Sequence, residues 1–195
     1  MVLYVFVVGG FAVVLAGWLG LSYLRRAHDH LVDARENCET AWSNVEVLLQ
    51  RRHDEVGNLV EIAGEYMDHE RDVLAGVVAA REAAIEANAP EQAAIAEAEI
   101  RDSIQEFYSL AEEMPELRTD EKFTDVRDSL QDVEQRLENR REYYNDAVRR
   151  YNALLEKVPE RYVAARRGYE PRAHFEADEA AKGEFSVSDR LQRAE

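Results

Sequence analysis

Residues 123–158 read FTDVRDSLQDVEQRLENRREYYNDAVRRYNALLEKV, and their period decides the fold. Phe123, Leu130, Leu137, Tyr144, Tyr151 and Val158 recur every seven residues. Val126, Val133, Arg140, Ala147 and Leu154 fill the interleaved positions. This is an a/d seam of coiled-coil type over about five heptads, interrupted only by Arg140, which can snorkel its guanidinium to the edge. Val148 and Leu155 widen the stripe on one side, as a bundle requires and a two-stranded coil does not.

Outward from this helix the breakers mark the other elements. Thr119 or Asp120 can cap its start. Ile95, Ile100, Ile104, Phe107 and Leu110 form an earlier stripe that opens at Pro90 and ends before Pro115. Leu59, Ile62, Ala63, Tyr66, Val73 and Val77 predict a helix running to about Ala87. Before them, Leu31, Ala34, Cys38, Ala41, Val45 and Leu48/Leu49 predict another, with Gly57 as a tight turn or a kink between the two. No stretch alternates with period two. The expected fold is all-α, an N-terminal transmembrane helix followed by an antiparallel up-and-down four-helix bundle. The expected boundaries are an anchor at 1–24, a soluble bundle at 25–160 and an irregular tail at 161–195 that packs back and then frays.

Met1 to Leu24 contains no charged side chain. That length of helix is roughly 36 Å, enough to span a bilayer with some tilt. A cleavable signal would carry basic residues before its apolar core, whereas here Arg25 and Arg26 follow it. The pair predicts a single-pass protein of the cell membrane, with the N-terminus outside and the bundle in the cytoplasm. Tyr4, Trp18 and Tyr23 lie near the ends of the span, where amphipathic rings prefer the interface. Ala12, Ala16 and Gly20 form a small-xxx-small ladder that permits close packing with a second copy of the chain.

The chain carries 40 acidic and 24 basic residues, net −16, and only three of the basic residues are Lys. So negative a surface repels phosphate backbones, which argues against nucleic acid as a partner. Abundant acid with almost no Lys predicts a halophilic protein, whose self-repulsion concentrated salt screens. One cysteine, Cys38, excludes an intramolecular disulfide and multi-thiolate metal sites. It falls on an apolar stripe and reads as a small core hydrophobe. His28 and His30 are about 200° apart on a helix and cannot share an ion from one face. Glu61, Glu65, His69 and Asp72 are the best metal cluster, yet the Glu-x-x-His motif of di-iron bundles is absent. No nucleophile elbow or phosphate loop is present. The sequence predicts no cofactor, no metal and no enzyme.

Several strings together resemble the LemA family of membrane-anchored helical proteins. They are Ala41-Trp42-Ser43, Arg51-Arg52, Asn58-Leu59-Val60, Tyr66…His69-Glu70, Ala80-Arg81, Pro115-x-Leu117 and Glu134. Arg141-x-x-Tyr144-Asn145 and Tyr151-Asn152 follow, then Pro159, Gly168-Tyr169 and Phe175. The chain departs from the family pattern at Gly57, where Pro is usual, at Arg140, and at Glu121-Lys122-Phe123. The resemblance implies one N-terminal span, a cytoplasmic four-helix bundle and no agreed enzymatic activity. Its implied role is an interaction or scaffold protein with the bilayer and other membrane proteins as partners. The alternative is an accessory subunit or regulator of a membrane protease or quality-control system, a metalloprotease being the partner it suggests.

The residues singled out as a site are Arg81, Glu134, Arg141, Tyr144, Asn145, Tyr151 and Asn152. On the last long helix Tyr144 and Tyr151 belong to the seam, and Glu134, Arg141, Asn145 and Asn152 line one edge of it. They read either as a polar network fixing helix register, with Asn152 bonding to a neighbouring helix, or as a groove that grips a partner peptide.

Overall fold

The computed structural model describes residues 2–67 and 70–176, with side chains from residue 9 onward. Six helices follow in order: α1 (Val2–Gly64), α2 (Arg71–Glu86), α3 (Pro90–Ala111), α4 (Pro115–Arg118), α5 (Glu121–Glu156) and α6 (Glu160–Arg167). The described residues contain no strand, so the fold class is all-α as the periodicity predicts. The chain divides into two compact units, Met1–Thr40 with Asp146–Arg172, and Ala41–Asn145 with Ala173–Glu195.

The larger unit is a bundle built from the second half of α1, from α2 and α3, and from the first part of α5. Short connections make successive helices antiparallel neighbours. Val56, Leu59, Val77, Ile100, Phe107, Leu117, Phe123 and Leu130 are buried in one core. The ring of Phe107 lies 6.2 Å from that of Phe123. Asp120 caps α5, its Oδ1 accepting from the backbone N–H of Phe123 at 2.9 Å. Its Oδ2 accepts from the Tyr66 hydroxyl at 2.8 Å. The two bonds, the backbone one foremost, hold the Asp120 carboxyl below its usual range.

Of the two readings of Gly57, a tight turn or a kink, the turn does not occur, because α1 runs through it to Gly64. Val56 and Leu59 on either side are fully buried and hold the helix in place against the roughly 1 kcal/mol helix penalty of glycine. The bare backbone there is covered by Arg81, whose Nη2 would lie 3.5 Å from an added Cβ. The interruption falls instead after Gly64, where Glu65 and Tyr66 turn back onto Ile62 and Ala63. The single helix expected from Leu59 to Ala87 is therefore two.

In the smaller unit Leu31, Cys38 and Tyr151 are buried. α5 ends at Glu156, and Val158, expected in the seam, is 64% exposed. The physical reason is Pro159, which drives the residue before it out of the helical region. Residues 160–167, expected to be irregular, form α6, and His30 Nδ1 lies 3.3 Å from Glu160 Oε1. Gly168 closes α6 at φ 71°, a left-handed conformation that glycine adopts freely, and Tyr169 N–H donates to Ala164 C=O at 3.1 Å. Beyond it the chain is neither helix nor strand to Glu176, with a bend at Phe175, and the expected fraying falls outside the described residues. Among the described residues no helix is long and apolar enough to cross a membrane. The side chains of residues 1–8, one third of the expected span, lie outside them.

Candidate functional site

Asparagine carries one amide donor and one carbonyl acceptor, the same pair that a peptide unit presents, so it can hold a strand by both its N–H and its C=O. In the smaller unit Asn152 does this to Arg172. Its Nδ2 donates to the Arg172 carbonyl at 2.9 Å, and its Oδ1 accepts from the Arg172 N–H at 2.9 Å. The neighbouring Tyr151, 1% exposed, donates its hydroxyl to the Glu170 carbonyl at 3.1 Å. Burial pushes the Tyr151 phenol up, opposed by the nearby Arg172 and Arg35 cations. The clamped residue is fixed at its side chain too, since Arg172 Nη2 donates to Glu39 Oε1 at 2.6 Å. Arg35 donates to the same oxygen at 3.0 Å and lies 6.0 Å from the Tyr169 ring centroid. The bond from Arg35 does most to hold the Glu39 carboxyl below its usual value, with Arg172 adding to it.

The larger unit repeats the arrangement. Asn145 Oδ1 accepts from the Phe175 N–H at 2.8 Å, and Nδ2 reaches the Phe175 carbonyl at 3.4 Å and Glu176 Oε1 at 3.2 Å. Tyr144 donates its hydroxyl to the Ala173 carbonyl at 2.9 Å. Here the anchor is aromatic: the Trp42 ring packs 5.2 Å from Tyr144 and 5.6 Å, edge on, from Phe175. In sequence the second clamp stands seven residues earlier on α5 and takes residues three later in the tail.

The other predicted residues are engaged differently. Arg81 donates from Nε to the His53 carbonyl at 2.6 Å, tying α2 to α1. Glu134 Oε1 accepts from Nε and Nη2 of Arg101 at 3.0 and 2.7 Å, and its Oε2 lies 3.2 Å from Arg52 Nη2. These two fit the register account. Arg141 pairs with Glu138 on its own helix at 2.7 Å and joins no clamp. The expectation that Asn152 bonds to a neighbouring helix is corrected: it bonds to the non-helical backbone at Arg172.

One cluster escapes sequence reading. Glu97, 4% exposed, takes Arg52 Nη1 on Oε2 and His53 Nε2 on Oε1, both at 2.7 Å. Removing one member of so buried a set strands the remaining charge, which makes it a register lock between α1 and α3. The available signal was a lone acid on the apolar run Ala93–Ala96 and Ile100.

Between α3 and α5 of the larger unit lies an open groove of about 1400 Å³. Ile104, Phe123 and Leu130 contribute its apolar surface, and Arg101, Arg118 and Arg127 line it with charge. Among the described residues no group of three or more His, Cys, Asp or Glu could hold a metal ion, and His69 lies outside them. Burial raises the Cys38 thiol, which disfavours a thiolate nucleophile there.

A helical protein whose last long helix holds a non-helical segment near residues 170–176 through Tyr-Asn dipeptides is the class these features define. A family model, LemA family, matches residues 41–188, most of the chain and all of the larger unit's helices. The protein belongs to the LemA family, which is commonly membrane-associated and not known as enzymatic. No curated protein matches it.

Proposed function

We propose that the protein is a single-pass, membrane-tethered interaction module with no chemistry of its own, its bundle on the cytoplasmic side. The observation that carries the reading is the outer surface of α1. Phe11, Val13, Val14, Leu15, Trp18 and Leu19 are all exposed on a helix without a charged residue before Arg25. Each large apolar side chain left in water forgoes about 1.5–3 kcal/mol of transfer, whereas lipid covers the whole set at once. Arg25 and Arg26 support the cytoplasmic orientation. Family membership supports a binding role over catalysis. The test is membrane fractionation with alkaline carbonate, joined to impermeant thiol labelling of Glu113→Cys in intact cells. Retention in the pellet with labelling only after lysis is the expected result. Extraction by carbonate overturns the anchor, and labelling of intact cells overturns the orientation.

A further inference from the structure

The heptad positions that clamp the tail do not stop at Tyr144 and Asn145. One repeat earlier on α5 they are Leu137 and Glu138, and one earlier again Leu130 and Gln131. Phe175, next to the last described residue, lies beside Leu137 and Glu138 in a small pocket of about 60 Å³. Glu138, Leu130 and Gln131 then line the open groove. The face of α5 that holds backbone at Asn145 therefore continues into a groove that no described residue fills.

Charge and hydrogen bonding narrow the occupant. The chain as a whole is −16, yet the groove is lined by five arginines (Arg52, Arg101, Arg118, Arg127 and Arg141) against three glutamates (Glu112, Glu134 and Glu138). Arg52, Arg101 and Arg141 are neutralised by carboxylates within the unit. Arg118 and Arg127 have no ion-pair partner among the described residues. Tyr108, on the same lining, has a buried hydroxyl with no hydrogen-bond partner among the described residues, and burial pushes that phenol up to about 12. Two exposed guanidiniums on one groove, without an ion-pair partner among the described residues, suit a ligand whose acceptors carry negative charge. Gln105, Gln131 and Gln135 offer donors and acceptors along the walls, which suits a peptide backbone and is wasted on an acyl tail. From Phe123 to Glu138 the helix rises about 22 Å, the length of roughly seven extended residues.

We propose that this groove binds an extended, acidic segment of a protein partner, with its backbone held at Gln131 and its carboxylates on Arg118 and Arg127. The proposal rests on the interaction-module reading for its biological sense, and it needs no membrane to be tested.

The probe is a fluorescein-labelled, end-capped peptide, Glu-Asp-Phe-Glu-Asp-Phe-Glu, titrated by anisotropy into the full-length protein in neutral detergent. A benzophenone amino acid at Gln131 reports the position of the bound peptide by crosslinking. Saturable binding, crosslinks to the peptide, and at least a tenfold loss in Arg118→Gln/Arg127→Gln are the expected results. Should that variant lose helicity, the crosslink in otherwise unaltered protein decides alone. No binding, undiminished binding in a folded variant, or crosslinks absent at Gln131 overturns the proposal. A tenfold gain on removing residues 177–195 also overturns it, because the occupant would then be the chain's own C-terminus. Failure here leaves the carbonate and labelling results untouched, so the two readings fall separately.

Discussion

The clamp at Tyr151–Asn152 and the clamp at Tyr144–Asn145 use the same two side chains on the same helix, yet they are anchored by different forces. The first closes on Arg172, whose guanidinium is drawn to Glu39, a residue half exposed at its side chain. The second closes on Phe175, 3% exposed and packed against Trp42. Asn145 itself is 6% exposed, whereas Asn152 is only half-buried. The difference separates two jobs. Asparagine sets register, because its paired bonds to N–H and C=O fit any residue, and the anchor supplies the energy. An aromatic anchor draws on buried area and dispersion, while an ion pair at the surface contributes about 0–1 kcal/mol and weakens with salt.

The largest expected effect follows from Tyr144→Ala. It removes a fully buried ring, its contact with Trp42 and one clamp bond, and thermal unfolding should show a loss of about 4–5 kcal/mol. Tyr151→Ala, without the Trp42 contact, should cost about 3–4 kcal/mol. A larger loss at Tyr151 than at Tyr144 would break the ranking of the two anchors.

Phe175→Ala should cost about 3 kcal/mol and release the second clamp, while Arg172→Ala should cost about 1 kcal/mol. Equal costs, measured by thermal unfolding, would mean that burial does not distinguish the two ends.

The asparagines themselves sharpen the comparison further. Asn145→Ala leaves a buried Phe175 N–H without its acceptor and should cost about 2 kcal/mol, against about 1 kcal/mol for Asn152→Ala, where water can substitute.

The smallest effect is one of pH. The Glu39 carboxyl is held below its ordinary 4.5, chiefly by the bond from Arg35. A carboxylate with a depressed folded pKa stabilises above its unfolded value, and that contribution is lost as pH falls through the folded one. The unfolding midpoint of wild type should therefore exceed that of Glu39→Gln near pH 6, and the two should converge below pH 4.5. A gap that persists in acid would remove the ion pair from the first clamp.

Much of this was legible from period alone. The heptads place Phe123 through Tyr151 in a seam buried or half-buried except at Arg140. Tyr151 is buried as expected, and of the two candidate caps, Thr119 and Asp120, the structure uses Asp120. The partner of the asparagines was not legible, because a side-chain amide bonds to backbone of any sequence and leaves no pattern in its target. Gly57 left a turn and a kink as alternatives, because propensity alone does not weigh the packing by Val56, Leu59 and Arg81 that carries the helix through it. The end of α5 was lost at Val158, where the proline after it outweighed the period. Glu97 was the reverse case, a visible anomaly on an alanine-rich face whose partners are 44 and 45 residues away.

Amide hydrogen exchange at Arg172 and Phe175 addresses the clamps most directly, since each N–H donates to one asparagine Oδ1. Both amides should be protected in wild type. Asn152→Ala should release Arg172, and Asn145→Ala should release Phe175. Fast exchange at either amide in wild type, or protection that survives loss of its own asparagine, would contradict the account.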